Sequence, residues 1–180
     1  MKKQIRFFKA DLKRMLGKRK IRILYIWLSR AFWGILIYRV ERGLFLLIGR
    51  SYEKLRIIFI PIINLVQAYS NIDINYKAEI GEGLHVFHPS VGVVISGYSI
   101  IGSNLSLTGG NIIGSRDEGG FGSIRIGDNC SLGANAVILG PVMIGNKIKI
   151  GASACVVKDC ITDNATLIGV PARKLQTKVG

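Results

Sequence analysis

The feature that most constrains the fold is an aliphatic residue that recurs every six positions in the second half of the chain. With one polar interval, it occurs at Ile126, Leu132, Ile138, Ile144, Ile150, Val156 and Ile168. Glycine follows several of these residues, which suits tight corners that a Cβ atom would obstruct. A period of six fits neither an α-helix nor a single β-strand. It predicts short flat faces, three to a coil, stacked as a triangular prism.

The same spacing is present earlier in the chain, with two interruptions. The expected inward residues there are Ile80 and Val86 and, after a two-residue slip, Val94, Ile100, Ser106 and Ile112. The slip covers residues 87–92, and a glycine-rich, charged insertion covers residues 115–123. Loops that interrupt a rigid repeat commonly carry binding residues, although tolerated surface insertions would look the same. The pattern therefore predicts a left-handed parallel β-helix over residues 71–180, with candidate site segments at both interruptions.

Residues 1–70 have a different character, since they are strongly basic and their pattern predicts helices. Of the net charge of +14, residues 1–58 contribute +13, from 16 Lys and Arg against three acids. The apolar stretches at 23–29, 31–38, 43–49 and 57–70 are each too short to span a bilayer, and Pro61 is expected to break the longest.

Two interpretations of this N-terminal region stay open. Apolar helices that carry aromatic residues beside many cations suit an anionic membrane interface. A helical subdomain that packs against itself and the prism, with a solvated basic face, would have the same composition. Nucleic acid is not expected as a partner, because no recognised binding motif accompanies the charge.

The cysteines and the N-terminus bear on the compartment. Cys130, Cys155 and Cys160 are odd in number and lack CxxC spacing, which argues against a disulfide framework and a zinc site, so no metal is expected. No apolar core of a signal peptide precedes about Ile23, and no cleavage site follows one. We expect a cytoplasmic protein, with peripheral attachment to the inner face of the cytoplasmic membrane as a further expectation.

The chain has two histidines, and His88 lies within the slip. Histidine is the economical general base near neutral pH, and a carboxylate that fixes its tautomer improves it. Asp73 precedes His88 by 15 residues, close to one coil of about 18 residues, so the two side chains are expected at one edge of neighbouring coils. We interpret His85 as a residue of a sheet face.

Three segments carry a resemblance to a known family. Residues 72–88, IDINYKAEIGEGLHVFH, are similar to the pattern VDIHPAAxIGxGxxxDH, and GANAVILG at 133–140 and GVPAR at 169–173 are equally characteristic. On these motifs residues 71–175 resemble the serine acetyltransferase family of hexapeptide acyltransferases. The resemblance implies acetyl-CoA as co-substrate, a homotrimer with its active site between neighbouring prisms, and a catalytic pair at Asp73 and His88.

The resemblance also implies where acetyl-CoA binds. The pantetheine arm would follow the small corner residues Ala134 and Ala152, and a backbone N–H of Gly109 or Gly110 would stabilise the developing oxyanion. The CoA phosphates would lie near basic residues at the end of the prism, drawn from Lys147, Lys149, Lys158, Arg173 and Lys174. Those basic residues are equally readable as ordinary solvated side chains.

The departures from the family lie where the acceptor should bind. Phe87 stands in place of the aspartate before the base, and the substrate-engaging Arg-His pair of the family falls at Gly122 and Ser123. Arg116 or Arg125 would have to supply the missing cation. The basic N-terminus and the tripeptide at 38–40 more closely resemble polysaccharide O-acetyltransferases of the colanic acid type, which makes a sugar hydroxyl the preferred acceptor.

Three functions follow for testing. The first is O-acetylation of a sugar in a surface polysaccharide or its lipid-linked precursor, which accounts for the repeat, the histidine and the basic N-terminus. The second is serine O-acetylation, which leaves the N-terminus without a role. The third is a non-catalytic trimeric scaffold, which leaves Asp73 and His88 unexplained.

Overall fold

The computed structural model describes residues 1–18, 20–116 and 119–175, in which helices precede a parallel β-helix. The helical region contains α1 (Lys2–Leu16), two short 3₁₀ helices (Lys20–Leu24 and Ile26–Leu28), α2 (Arg30–Ile48) and α3 (Ser51–Ser70). None of the described helices meets the length and apolarity needed to cross a bilayer.

Fifteen short strands follow among the described residues, and 14 of them run parallel to their neighbours. They are β1 (Ile72–Ile74), β2 (Glu79–Ile80), β3 (His85–Val86), β4 (Val93–Ile95), β5 (Ser99–Ile101), β6 (Ser106–Leu107), β7 (Asn111–Ser115), β8 (Ile124–Ile126), β9 (Ser131–Leu132), β10 (Val137–Gly140), β11 (Val142–Ile144), β12 (Lys149–Ile150), β13 (Cys155–Val156), β14 (Thr166–Ile168) and β15 (Arg173–Lys174). Strand β15 reverses and pairs antiparallel with β14.

The strands form the three faces of a prism. Face A contains β1, β4, β7, β10 and β13, face B contains β2, β5, β8 and β11, and face C contains β3, β6, β9, β12 and β14 with β15 at its end. Each face contributes columns of paired, buried side chains to the core, for example Ile80, Ile101, Ile126 and Ile144 on face B. The predicted β-helix is confirmed, as is the inward spacing from Ile126 to Val156.

In the earlier coils, Ile80 and Val86 face inward as predicted, but the positions predicted after the slip are wrong by one residue. The buried residues are Ile95, Ile101, Leu107 and Ile113, because the slip inserts three residues instead of two. The last coil shows the same shift, with Leu167 buried and Ile168 exposed. Except at Ser106 and Leu107, these strands carry adjacent aliphatic residues, so hydrophobicity could not decide which one faces inward. Pairing register decides it.

The predicted break at Pro61 is also wrong, because α3 continues through it. A proline inside a helix leaves the carbonyl four residues earlier, here that of Ile57, without its N–H donor. Both Ile57 and Pro61 are exposed, so water can reach that carbonyl. The cost of the proline is thereby reduced enough for the helix to persist.

Buried Arg39 attaches the helical region to the first coil. Its guanidinium lies on α2 and donates to both carboxylate oxygens of Asp11 on α1, with an Nε to Oδ2 distance of 2.9 Å. It also donates to Gln4 and to the backbone carbonyls of Ile80 and Gly81, at 2.7 and 2.6 Å. A cation that composition alone would assign to the surface therefore holds two helices against the prism.

Candidate active site

His88 lies at the edge where face C turns into face A. Its backbone N–H donates to the carbonyl of Thr108 on the next coil at 2.9 Å, and its side chain is exposed. A 3₁₀ turn, Pro89–Val91, follows and ends at Gly92, whose φ of 88° favours glycine. The three residues inserted by the slip form this turn, so the repeat is interrupted where a histidine is presented to solvent.

Small residues stack along the same edge on successive coils. The Gly109 carbonyl accepts from the Asn135 N–H at 2.9 Å, and the Ala134 carbonyl accepts from the Ser153 N–H at 2.8 Å. Gly110, Ala134 and Ala152 therefore follow one another along the prism beyond His88. With about 4.8 Å between coils, this row extends about 14 Å from the slip.

The two N–H groups predicted to stabilise the oxyanion already donate hydrogen bonds within the β-helix. The N–H of Gly109 donates to Asn111 Oδ1 at 2.9 Å, and the N–H of Gly110 donates to the Gly92 carbonyl at 2.7 Å. Both groups serve the coil itself and are not free for a ligand in this conformation. Gly110 instead keeps the edge narrow, because a Cβ there would contact Asn135 Oδ1 and its φ is 68°.

Asp73 lies at this edge as well. It points outward from β1 and pairs in register with Val94, two residues after the slip. It lines a cavity of about 340 Å³ together with Ser90, Val91 and Gly92. The structure thus brings the predicted carboxylate next to the segment that carries the predicted base.

Residues at the end of α3 position Asp73 and the slip. The sequence analysis did not identify this contribution. Gln67 Nε2 donates to Asp73 Oδ1 at 3.0 Å. Asn71, which ends α3 in the left-handed conformation, donates from Nδ2 to the Ser90 carbonyl at 3.2 Å. Gln67 and Asn71 precede Asp73 by six and two residues, and this closeness in sequence was the only indication that they could contact the site.

A second cavity, of about 440 Å³, continues from Asp73 across the first coils of face A. Its lining includes Asn75, Lys77, Tyr98 and Phe121. The insertion folds back here, since the Gly122 N–H donates to the Tyr98 carbonyl at 2.8 Å. We call the two cavities together the Asp73 groove. It has the slip at one end and two partly exposed aromatic rings at the other.

Lys77 is not a free cation in this groove. Its Nζ lies 2.7 Å from Glu53 Oε1 on α3. The hydrogen bond raises the pKa of Lys77 and lowers the pKa of Glu53. The charge that Lys77 could offer to an anionic acceptor is already neutralised by a carboxylate.

Other predicted site residues lie elsewhere within one chain. Arg116 follows β7 at the edge between faces A and B, and Lys158 follows β13 at that same edge. Arg125 points outward from face B, and the predicted insertion 115–123 lies between β7 and β8, with 117 and 118 outside the described residues. Arg173 is exposed and pairs with Ile168, at the far end of the His88 edge.

Phe87 does not line the groove and instead packs against His85, with ring centroids 4.2 Å apart and the rings tilted by 42°. Both line a cavity of about 500 Å³ between face C and the helical region, which also contains Arg14, Arg22 and Tyr25. Burial and the two nearby guanidinium groups lower the pKa of His85. His85 therefore stays neutral near pH 7, and it is placed on a sheet face as expected.

Comparison with known proteins agrees with this architecture. Residues 123–167 match the family model described as bacterial transferase hexapeptide (six repeats). The structure resembles serine acetyltransferase from Neisseria gonorrhoeae, with a TM-score of 0.80 and 27% identity over 99% of this chain and 68% of that one. It also resembles the soybean serine acetyltransferase apoenzyme, with a TM-score of 0.76 and 27% identity over 97% of this chain and 70% of that one.

A third match is a serine acetyltransferase in complex with CoA, with a TM-score of 0.77 over 97% of this chain and 70% of that one. At 24% identity it supports the fold alone. No curated protein sequence matches the chain. The matched hexapeptide repeats lie within the parallel β-helix, which is the architecture of the second part of the chain. The family model and the structural matches together identify the chain as an acyltransferase.

Proposed function

We propose that the chain is an acetyl-CoA-dependent O-acetyltransferase that acts on a hydroxyl acceptor. The observation that carries the proposal is the exposed His88 in the slip, with Asp73 beside the slip and a row of small corner residues extending from it. A base, an orienting carboxylate and a smooth edge for a slender acyl donor are the parts that direct acyl transfer requires.

In the proposed mechanism, His88 takes the proton of the acceptor hydroxyl as the hydroxyl oxygen attacks the thioester carbonyl. The new ester forms as the carbon–sulfur bond breaks, and the proton passes from His88 to the departing thiolate. Asp73 orients the imidazole and stabilises its cationic form. Gln67 holds one carboxylate oxygen of Asp73, which leaves Oδ2 for the histidine. No covalent enzyme intermediate is required.

We propose a homotrimer whose subunits meet at face A. The outward residues Val94, Ile112, Val137 and Cys155 pair in register as one apolar column, with Asp73 at its end. Val94 and Ile112 are substantially exposed in one chain. Covering this column with a second prism would bury it and would enclose the Asp73 groove in a cleft between subunits.

For the acceptor we propose a sugar hydroxyl, in a surface polysaccharide or its lipid-linked precursor. The groove has aromatic rings at Tyr98 and Phe121, and aromatic faces suit the apolar faces of sugar rings. A serine carboxylate needs a cation. Lys77 is already paired, and neither Arg116 nor Arg125 lines the Asp73 groove within one chain. Polysaccharide acetylation of the colanic acid type agrees with these features.

Serine O-acetylation is the second candidate, and the comparisons favour it. Structural matches above 25% identity include serine acetyltransferases from N. gonorrhoeae and soybean. A neighbouring subunit could supply the cation that one chain does not bring to the groove.

The deciding experiment measures CoA release from acetyl-CoA with serine, simple sugars and lipid-linked oligosaccharide as acceptors, with His88→Ala as the blank. Turnover with sugar and none with serine is expected, and Tyr98→Ala with Phe121→Ala should raise KM for the sugar. Serine turnover alone would replace the sugar proposal with the second candidate. CoA release that is equal in wild type and His88→Ala would refute catalysis at this site.

A further inference from the structure

One side of α3 carries an apolar stripe that no described residue covers. Leu55, Ile58, Ile62, Leu65 and Tyr69 follow one another at intervals of three and four, so they lie on one helix face. Their exposure ranges from 37% to 72%. Of the 20 residues of α3, only Tyr52, Ile63 and Ser70 are buried, so most of this helix lacks a partner within the described chain.

The stripe continues into residues 23–28. Tyr69 Oη donates to the Leu28 carbonyl at 3.2 Å, which places the end of α3 against this segment. The exposed large side chains of this segment include those of Ile23, Leu24, Trp27 and Leu28. We call these four and the five residues of the α3 stripe the docking face.

Cations border the docking face, and the acidic residues of the same region are already in ion pairs. Arg22, Arg30, Arg50 and Lys54 are exposed, and the Arg30 guanidinium lies 5.9 Å from the centre of the Tyr69 ring. The three acids of residues 1–58 each form an ion pair, Asp11 with Arg39, Glu41 with Arg56 and Glu53 with Lys77. The positive charge around the face is thus left without nearby carboxylates to balance it.

We propose that the docking face binds the surface of an anionic lipid bilayer. Aliphatic side chains with a tryptophan and a tyrosine, rimmed by Arg and Lys, match the apolar boundary and the negative headgroups of such a surface. Pairing the same face with a second copy would instead set like charges against each other. The proposal goes beyond the acyltransferase reaction, since binding needs neither acyl donor nor acceptor.

The test is flotation of the full-length protein with phosphatidylcholine vesicles that contain or lack phosphatidylglycerol, at low and high salt. Wild type should float with anionic vesicles and less so at high salt. Ile58→Gln with Leu65→Gln keeps the charge and should lower the partition coefficient by at least about tenfold. Because Ile58 and Ile161 are 72% and 73% exposed, Ile161→Gln is the matched control and should bind as wild type does.

Several outcomes would overturn the proposal. If the wild-type protein does not float with anionic vesicles, or floats equally with neutral ones, an anionic bilayer is excluded as the occupant. Equal binding by wild type and the double variant would exclude this face. Sedimentation that shows a larger wild-type assembly reduced by the double variant, without vesicle binding, would assign the face to a second copy.

Discussion

Arg39→Met tests whether the buried ion pair fastens the helical region to the prism. Arg39 is 2% exposed and Asp11 is fully buried. Methionine keeps the apolar length of the side chain but removes the charge and every hydrogen-bond donor. The substitution changes no other residue of α1, α2 or the first coil. It removes only the ion pair and the hydrogen bonds by which Arg39 joins them.

The expected loss in the free energy of unfolding is set by the groups that lose Arg39 as a partner. Removing one member of a buried pair costs about 3–5 kcal/mol, because the other charge stays buried without compensation. Two backbone carbonyls, of Ile80 and Gly81, also lose their donor, at about 1–3 kcal/mol each when no water replaces it. These costs overlap, and Asp11 can take up a proton, so we expect a loss of about 4 kcal/mol at pH 7.

The pH dependence provides an internal check. Burial raises the pKa of Asp11, and Arg39 opposes that rise. Without Arg39 the folded state should bind a proton more readily than the unfolded state, so stability contributed by this group is present at low pH and lost as pH rises. The deficit of the variant relative to wild type should therefore shrink on acidification.

Urea denaturation at fixed protein concentration measures both effects, since an oligomer makes stability concentration-dependent. Arg42→Met is a useful control, because Arg42 contacts Glu79 at 3.6 Å and that carboxylate is half exposed. We expect it to cost less than Arg39→Met. A loss below about 1 kcal/mol for Arg39→Met would refute the reasoning, since it would match a surface pair.

Four further predictions concern the site and its surroundings. His88→Ala should lower kcat by at least about 10² while the oligomer stays intact, and near-wild-type turnover would remove His88 from its role. Asp73→Asn should lower kcat, and Gln67→Ala should lower it less with KM for acetyl-CoA unchanged; a change in KM alone would make both residues structural. Gly110→Ala should lower Tm in a thermal melt, because its φ of 68° disfavours a side chain, and an unchanged Tm would contradict that strain. Because the folded-state pKa of His85 is lowered, stability should fall as pH drops below about 6.5, and His85→Asn should flatten this dependence between pH 7 and 5.5; an unchanged slope in urea denaturation would contradict it.

The sequence predicts the β-helix well because every sixth residue must fill the same core. It predicts the register less well where two aliphatic residues are adjacent, as at Ile100 and Ile101, since either could face inward. Pairing with Arg125 and Ile126 on the next coil settles the matter, and that information is not local.

The residues of the candidate site likewise fall into those that the sequence could predict and those that it could not. Asp73 and His88 could be predicted as neighbours because the repeat gives a length per coil, so a separation of 15 residues becomes a position in space. Tyr98 and Phe121 were missed because an insertion that leaves the repeat can fold in any direction. Gly109 and Gly110 were misjudged as oxyanion donors because composition does not reveal which N–H groups the coil itself uses.

The last turn of α3 relates the proposed docking face to the proposed active site. Leu65 and Tyr69 are exposed, while Gln67 between them donates to Asp73. Residues two apart in a helix point about 200° from each other, so Gln67 faces away from the stripe. One helix, about 10 Å across, then separates a bound bilayer from the carboxylate. An acceptor that reaches His88 would be held close to the membrane surface, which favours a lipid-linked glycan over a freely diffusing metabolite and gives the basic N-terminal region a role in the choice of substrate.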